Sequence, residues 1–372
     1  MPGLIVHEWV EATGGAERVV DAWAEMYPDA EIGCLWADAP ERYAGRRIRE
    51  SWLARTPLRR HKGLAVLVMW LIWRRWKVAG YDWILVSSHS FAHHIAKAGR
   101  RHGVPVYVYV HTPARYLWAP ELDPRAGGRA GRLLAGIFRR IDRLGVDASA
   151  HYVANSRFIA ERCRLAWGVE PEVIYPPVDR PGDPDVLDEP ETAIVAGLPS
   201  DYVVAVSRFA PQKRLDLALE FATHAQRPLV LCGRGPEEDA LRQRAAELGT
   251  DVTFVISPSD NLMARLIRDG EAFVFPPVED FGIIPVEAQL LGCPAIVNEE
   301  GGAAESLQAT GGGATLDFDA LDAAGCTSAL ERARAATSTP EQVAEVVARA
   351  EESFGTAVFA DRVAAWMGQP AS

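Results

Sequence analysis

The sequence predicts an α/β protein of two doubly wound, parallel-sheet domains, and three observations lead there. The chain has 372 residues, more than one core usually holds, and its 48% hydrophobic and 24% charged content is that of a globular protein. Short apolar runs alternate with amphipathic stretches along both halves, the pattern of strands covered on both faces by helices. Between the halves lies a stretch rich in Pro, Gly, Asp and Glu, residues 179–200, which reads as a linker.

In the first half, residues 1–178, strands are expected at 4–6, 82–87, 104–110, 151–154 and 172–174. The opening run is closed at once by His7 and Glu8, so it reads as a strand rather than a secretory signal. In the second half, residues 201–355, strands at 202–207, 228–232, 252–256, 272–275 and 295–298 alternate with helices at 215–225, 237–248, 261–269 and 285–291. The tail from Glu341 to Met367 reads as helical with a break near Gly355, and the final segment, 356–372, can cross back to the first domain.

Charge and cysteine usage exclude several functions. The net charge of −11 hides a basic stretch: between positions 41 and 77 eleven Arg or Lys stand with Glu41 and Glu50, a local +9. A mainly acidic chain with one such patch is not a general nucleic-acid binder. From Arg46 to Lys77 the cations are interleaved with Trp52, Trp70, Trp73 and Trp76 around the apolar run 63–73. Eleven apolar residues are too few to span a bilayer, which takes about 20. Such a helix can lie in an anionic membrane interface, or equally be a core helix with solvated ends. Cys34, Cys163, Cys232, Cys293 and Cys326 form no Cys-x-x-Cys pair, which points to neither zinc nor disulfides and fits a reducing cytoplasm.

The chemistry gathers where strands end. Phe275-Pro-Pro-Val-Glu279-Asp-Phe281-Gly282-Ile283-Ile284-Pro-Val-Glu287 is a strand end, a turn on Gly282 and a helix start, with Glu287 in the first turn. Exposed N–H groups and the helix dipole suit a diphosphate there, while the two carboxylates suit sugar hydroxyls better than phosphate. Ser207-Arg208-Phe-Ala-Pro-Gln-Lys213 follows another strand: Arg208 can fork onto phosphate oxygens and Lys213 can add a point charge, although the segment alone is equally a solvated loop. Gly233-Arg-Gly235-Pro is a tight turn that shapes its surroundings.

In the first half, Gly14-Gly15-Ala-Glu17-Arg18 leads into a helix, and paired glycines let backbone approach a ligand. It is not the dinucleotide fingerprint Gly-x-Gly-x-x-Gly. His111 ends a strand, and Arg115, Tyr116 and Trp118 follow in what reads as a loop. Ser87-Ser88-His89-Ser90 and His93-His94 match no metal spacing and read as loop and helix-start residues. No nucleophile elbow and no Walker motif is present.

Taken together, Gly14-Gly15-Ala-Glu17-Arg18, His111-Thr-Pro, Arg208 with Lys213, Gly233-x-Gly235-Pro and Glu279-x7-Glu287 resemble, in order and spacing, the family 4 (group 1) retaining glycosyltransferases. The resemblance covers nearly the whole chain. It implies the GT-B fold, two Rossmann-like domains facing a cleft, with the acceptor on the first and the nucleotide sugar on the second. It implies that Glu279 and Phe281, Gly282, Ile283 and Ile284 hold the donor sugar and phosphates, that Glu287 holds the ribose, and that Arg208 and Lys213 grip the diphosphate. It places Gly233 and Ile256 in the donor set, Gly14, Gly15 and His111 near the reacting carbon, and Arg115, Tyr116 and Trp118 on the acceptor side. The family usually needs no metal and no cofactor, and here the two cations would stabilise the leaving diphosphate.

The motifs look closest to mannosyltransferase-like members of bacterial polysaccharide synthesis. The expected activity is transfer of a hexose, with GDP-mannose as favoured donor, to a lipid-linked glycan, by a cytoplasmic enzyme peripheral to the inner face of the membrane. The alternatives are a soluble small-molecule acceptor, a nucleotide-sugar epimerase of the same fold, and a nucleotide-sugar-binding protein without turnover. One departure is Arg214, which follows Lys213 where many relatives have glycine.

Overall fold

The computed structural model describes residues 2–12, 14–120 and 129–368, with the side chains of 129–134 excepted. The chain divides into two compact units, Met1–Pro177 with Phe359–Ser372, and Val178–Val358. Each is built on one wholly parallel sheet, the topology that crossover helices impose.

The first sheet has seven strands: β1 (Gly3–His7), β2 (Glu31–Cys34), β3 (Ile48–Glu50), β4 (Trp83–Ser88), β5 (Val106–Val110), β6 (His151–Ala154) and β7 (Glu172–Val173). Their order is β3-β2-β1-β4-β5-β6-β7. Alternate residues serve opposite faces, as period-2 geometry requires: Leu4, Val6, Ile84, Val86, Val106, Val108 and Val110 enter one core, while Ile5, Ile32, Leu85, Tyr109 and Val153 enter the other. Phe359, Val363 and Met367, from helix Thr356–Trp366 and just beyond it, complete this second core.

The second sheet has β8 (Val203–Val206), β9 (Leu229–Gly233), β10 (Val252–Ile256), β11 (Ala272–Phe275), β12 (Ala295–Asn298) and β13 (Gly313–Leu316), in the order β10-β9-β8-β11-β12-β13. Its faces are filled the same way, with Val203, Leu231, Val274 and Ile296 on one side and Val204, Val230, Phe273 and Val297 on the other.

Three strands escape the apolar pattern. β2 and β13 have four residues each, one with a charged start and the other beginning on Gly313, and β3 is the polar edge Ile-Arg-Glu. Pairing with a neighbour, rather than local composition, makes them strands. The stretch 179–200 contains helix Glu189–Ala196, whose Asp188 and Glu191 close a capping box with Pro190 in the first turn. Its acids and prolines are helix-start residues. Gly355 separates helices Pro340–Phe354 and Thr356–Trp366. Among the described residues no helix is long and apolar enough to cross a membrane.

Strand order reverses between β1 and β4 in one sheet and between β8 and β11 in the other. Doubly wound sheets bind ligands outside the carboxyl ends of such strands, where loops diverge and leave a crevice. Those ends carry His7 and Ser88 in the first unit, and Ser207 and Pro276 in the second.

Candidate functional site

In the second unit, β8 runs into Ser207 and an exposed Arg208, then into a 3-10 turn, Pro211–Lys213. The loop is held by backbone: Ser207 N–H donates to Cys232 O (3.1 Å), Phe209 N–H to Arg234 O (2.8 Å) and Glu237 N–H to Phe209 O (3.1 Å). Gly233 and Gly235, at φ +141° and +159°, permit that approach; a Cβ on Gly233 would lie 1.8 Å from Ser207 O, and one on Gly235 2.2 Å from Phe209 O. The glycine turn therefore seats the Arg208 loop. Ile256, half-exposed at the end of edge strand β10, is in register with Gly233.

Across the strand-order reversal, β11 leads into the glutamate loop. Lys213 Nζ lies 2.5 Å from Glu279 Oε1, with both side chains one-fifth exposed. Two of the expected residues, 66 positions apart in sequence, thus meet at the crevice. Gly282, at φ +85°, caps helix Ile283–Leu290, which starts two residues before Pro285. Glu287 therefore belongs to the second turn rather than the first, and it is buried, as is Phe281, which packs on Phe354. Ile283 and Ile284 are half-buried at the helix start.

A brace for this loop was not evident from the motifs. After β12, Asn298 Nδ2 donates to Pro276 O (2.9 Å) and Gly302 N–H to Glu279 O (2.8 Å). A Cβ on Gly302 would stand 2.1 Å from Asp280 O. The signal was present as Asn298-Glu-Glu-Gly301-Gly302 directly after an apolar run. Arg214 takes the left-handed conformation (φ +50°) that glycine adopts more easily and is held by Asp319.

In the first unit a buried polar chain stands at the reversal between β1 and β4. His7 Nδ1 is 2.9 Å from Ser87 Oγ, Ser87 Oγ is 2.8 Å from His111 Nε2, and His7 Nε2 is 3.6 Å from Glu17 Oε1. Burial drives the His111 imidazole down to about 3, so it is neutral near pH 7. Burial would raise the Glu17 carboxyl, but the His7 imidazole 3.6 Å away outweighs it and holds the group below its ordinary range. The Glu17 carboxylate fills the room a Cβ on Gly14 would need, at 2.0 Å, while Gly14 and Gly15 are exposed at the start of helix Gly15–Met26. His7 and Ser87 were missed as partners of His111 because only adjacent strands bring them together.

Glu8 next to them is wholly buried, accepting from Ser90 N–H (3.0 Å), Ala92 N–H (2.6 Å) and Trp73 Nε1 (3.1 Å). Burial pushes its carboxyl up to about 7 against those three donors and the neighbouring His7. Arg115, Tyr116 and Trp118 form a short helix, Arg115–Trp118, instead of the expected loop, because Leu117 and Trp118 N–H groups both turn back to Ala114 O. Tyr116 Oη meets Ser90 Oγ (3.0 Å), and the Trp118 indole N–H is committed to buried Asp142 (2.7 Å).

Residues 13–180 match the family model described as Glycosyltransferase Family 4, and residues 194–332 match that of Glycosyl transferases group 1. Over 281 residues the chain is 24% identical to the alpha-1,3/1,6-mannosyltransferase ALG2 of Debaryomyces hansenii, covering 62% of this chain and 57% of that protein. Over 175 residues it is 30% identical to the D-inositol 3-phosphate glycosyltransferase of Mycobacterium tuberculosis, covering 42% of this chain and 35% of that one. The matched region thus spans between about a third and three-fifths of these curated relatives. Among solved structures, Anabaena HepE in complex with UDP superposes with a TM-score of 0.72 at 17% identity, covering 99% of this chain and 100% of that one. That likeness concerns the fold, and the two Rossmann-like sheets are those of GT-B glycosyltransferases.

Proposed function

Since the chain belongs to the group 1 glycosyltransferases of family 4, we propose that it moves a hexose from a nucleotide diphosphate sugar to an acceptor hydroxyl with retention and without a metal. The observation that carries this is the Lys213–Glu279 pair at the β8/β11 reversal, with Lys213 on the loop after β8 that also carries exposed Arg208. Lys213 and Arg208 take the charge that develops on the departing diphosphate. Glu279 holds Lys213 in place and accepts from the hydroxyls of the sugar. Neutral His111 donates to or accepts from a hydroxyl near the reacting carbon, its tautomer set through Ser87. Retention without an enzymic nucleophile is then a same-face substitution in which the leaving phosphate takes the acceptor proton.

GDP-mannose is the donor we favour, from the likeness to a mannosyltransferase. HepE, whose structures carry UDP and UDP-glucose, makes UDP-glucose the alternative donor. A panel of GDP-, UDP- and dTDP-sugars, read by release of nucleoside diphosphate, separates the two. Turnover of a nucleotide sugar without acceptor would instead indicate an epimerase.

For the acceptor we propose a lipid-linked glycan at an anionic membrane. Helix Lys62–Arg74 buries Ala65, Met69 and Trp73 on one face and leaves Leu64 and Leu67 more than half exposed, as Trp52 is nearby. A groove of about 530 Å³ is lined by Trp52, Val68, Leu71 and Ile72 together with Arg49, Glu50, Arg75 and Lys77. Part of the basic stretch is compensated, since Arg42 pairs with Asp21, Arg47 and Arg49 with Glu31, Arg59 with Asp38 and Lys62 with Glu11. Sedimentation with anionic but not neutral vesicles supports the assignment. Equal recovery in the supernatant with both refutes it and favours a soluble acceptor.

A further inference from the structure

We propose that the first unit holds a structural transition-metal ion, of the Zn²⁺ class, between His93, His94 and Asp142, apart from the residues assigned to sugar transfer. One ligand atom from each lies within 4.8 Å of the other two, and all three residues are fully buried. Neither ring nitrogen of His94 has a hydrogen-bond partner, nor has Asp142 Oδ1, which lies 3.6 Å from His93 Nε2. Buried polar atoms without partners are rare because they lose water and gain nothing, so an imidazole and a carboxylate oxygen left unpartnered in one cluster call for a ligand.

The surroundings are built as a metal site requires. Asp142 Oδ2 accepts from the indole N–H groups of Trp118 (2.7 Å) and Trp167 (2.6 Å), which fixes the carboxylate so that Oδ1 faces the imidazoles. His93 packs against Trp167 at 4.5 Å between ring centroids, and the His94 ring meets the edge of Phe91 at 5.6 Å. Room is kept by Gly145, the last residue of helix Arg129–Gly145. A Cβ there would stand 2.4 Å from His94 Nε2 and 2.6 Å from His93 Nε2, and its φ is not among the positive ones, so space rather than backbone conformation accounts for the glycine.

The charge balance agrees. Burial lowers both imidazoles, keeping them in the neutral form that ligates, and raises the Asp142 carboxyl, which a divalent cation would hold ionised. As it stands, His93 Nε2 can donate to the Asp142 carbonyl (3.1 Å). On metal binding the proton would reside on Nδ1 and Nε2 would become a ligand. Two imidazoles and a carboxylate, completed by water, suit Zn²⁺ rather than Mg²⁺ or Ca²⁺. No motif announces the site, because the third ligand comes from a helix 49 positions beyond His93.

The test uses the untagged full-length chain, stripped with EDTA, desalted, and supplied with Zn²⁺. Native mass spectrometry should show one zinc ion retained per chain, and melting followed by tryptophan emission should shift upward with zinc. Co²⁺ in its place should give the visible absorption of a four-coordinate site. Asp142→Asn and His94→Gln should abolish the retained ion and the shift. A wild-type chain that keeps no ion and melts at the same temperature with zinc overturns the proposal, whether or not the variants fold. Equal retention by wild type and both variants overturns it too.

Discussion

Glu8 offers a sharp test of how the first unit is held together. Its carboxylate ties the end of β1 to the turn after β4, through Ser90 and Ala92, and to helix Lys62–Arg74, through Trp73. The folded carboxyl titrates at about 7, against 4.5 when it is free. Between those values the folded chain holds a proton that the unfolded chain has released. The stability contributed by this group is therefore complete below pH 4.5, falls as pH rises through about 7, and is constant above. The gap corresponds to about 3 kcal/mol at about 1.4 kcal/mol per pH unit.

Glu8→Gln removes the titrating group. The substitution adds a fixed offset, since its amide faces the Trp73 indole N–H, but no slope. All eleven tryptophans lie within 1–177 and 359–372, so tryptophan emission during urea unfolding reports the first unit alone. Measured from about pH 5 to about pH 8, the wild-type unfolding free energy should decline relative to Glu8→Gln by about 2–3 kcal/mol. A difference that stays flat across that window would show that the three donors keep the carboxylate ionised, and would refute the argument that burial prevails.

Three further outcomes are expected. Lys213→Ala should lower kcat on the order of 10²-fold, by removing a cation from the departing diphosphate, while leaving the thermal midpoint within a few degrees; unchanged turnover would remove Lys213 from the site. Gly235→Ala should destabilise the second unit by about 2–4 kcal/mol, because its Cβ would meet Phe209 O at 2.2 Å. Gly249→Ala, at φ +67° with open space around it, should cost only about 1–2 kcal/mol. Comparable circular-dichroism melts for these two variants would contradict the steric reading. His111, lowered to about 3, should show no NMR titration near its ordinary 6.5. The stability that this lowered imidazole contributes is present above pH 6.5 and is lost as pH falls toward about 3. A midpoint near 6.5 would show the ring to be solvated.

The alternation of apolar runs with amphipathic stretches determines the fold class, because a strand buried on both faces has to be apolar throughout and its crossover helix has to be amphipathic. The same logic made the central strands legible and hid β2, β3 and β13, which gain their burial or hydrogen bonds from neighbours. Motif order also fixed in advance which side chains stand at strand ends, among them Arg208, Lys213, Glu279 and His111.

Pairing belongs to tertiary structure. That Lys213 reaches Glu279, that His7 and Ser87 stand behind His111, and that Gly302 carries the Glu279 loop all depend on which strands lie side by side. Strand order across a doubly wound sheet is set by the packing of crossover helices, which leaves no local periodicity to read. His93, His94 and Asp142 illustrate the same limit: an adjacent histidine pair and a distant aspartate are unremarkable along the chain, and only the burial of all three around Gly145 brings a ligand atom of each together.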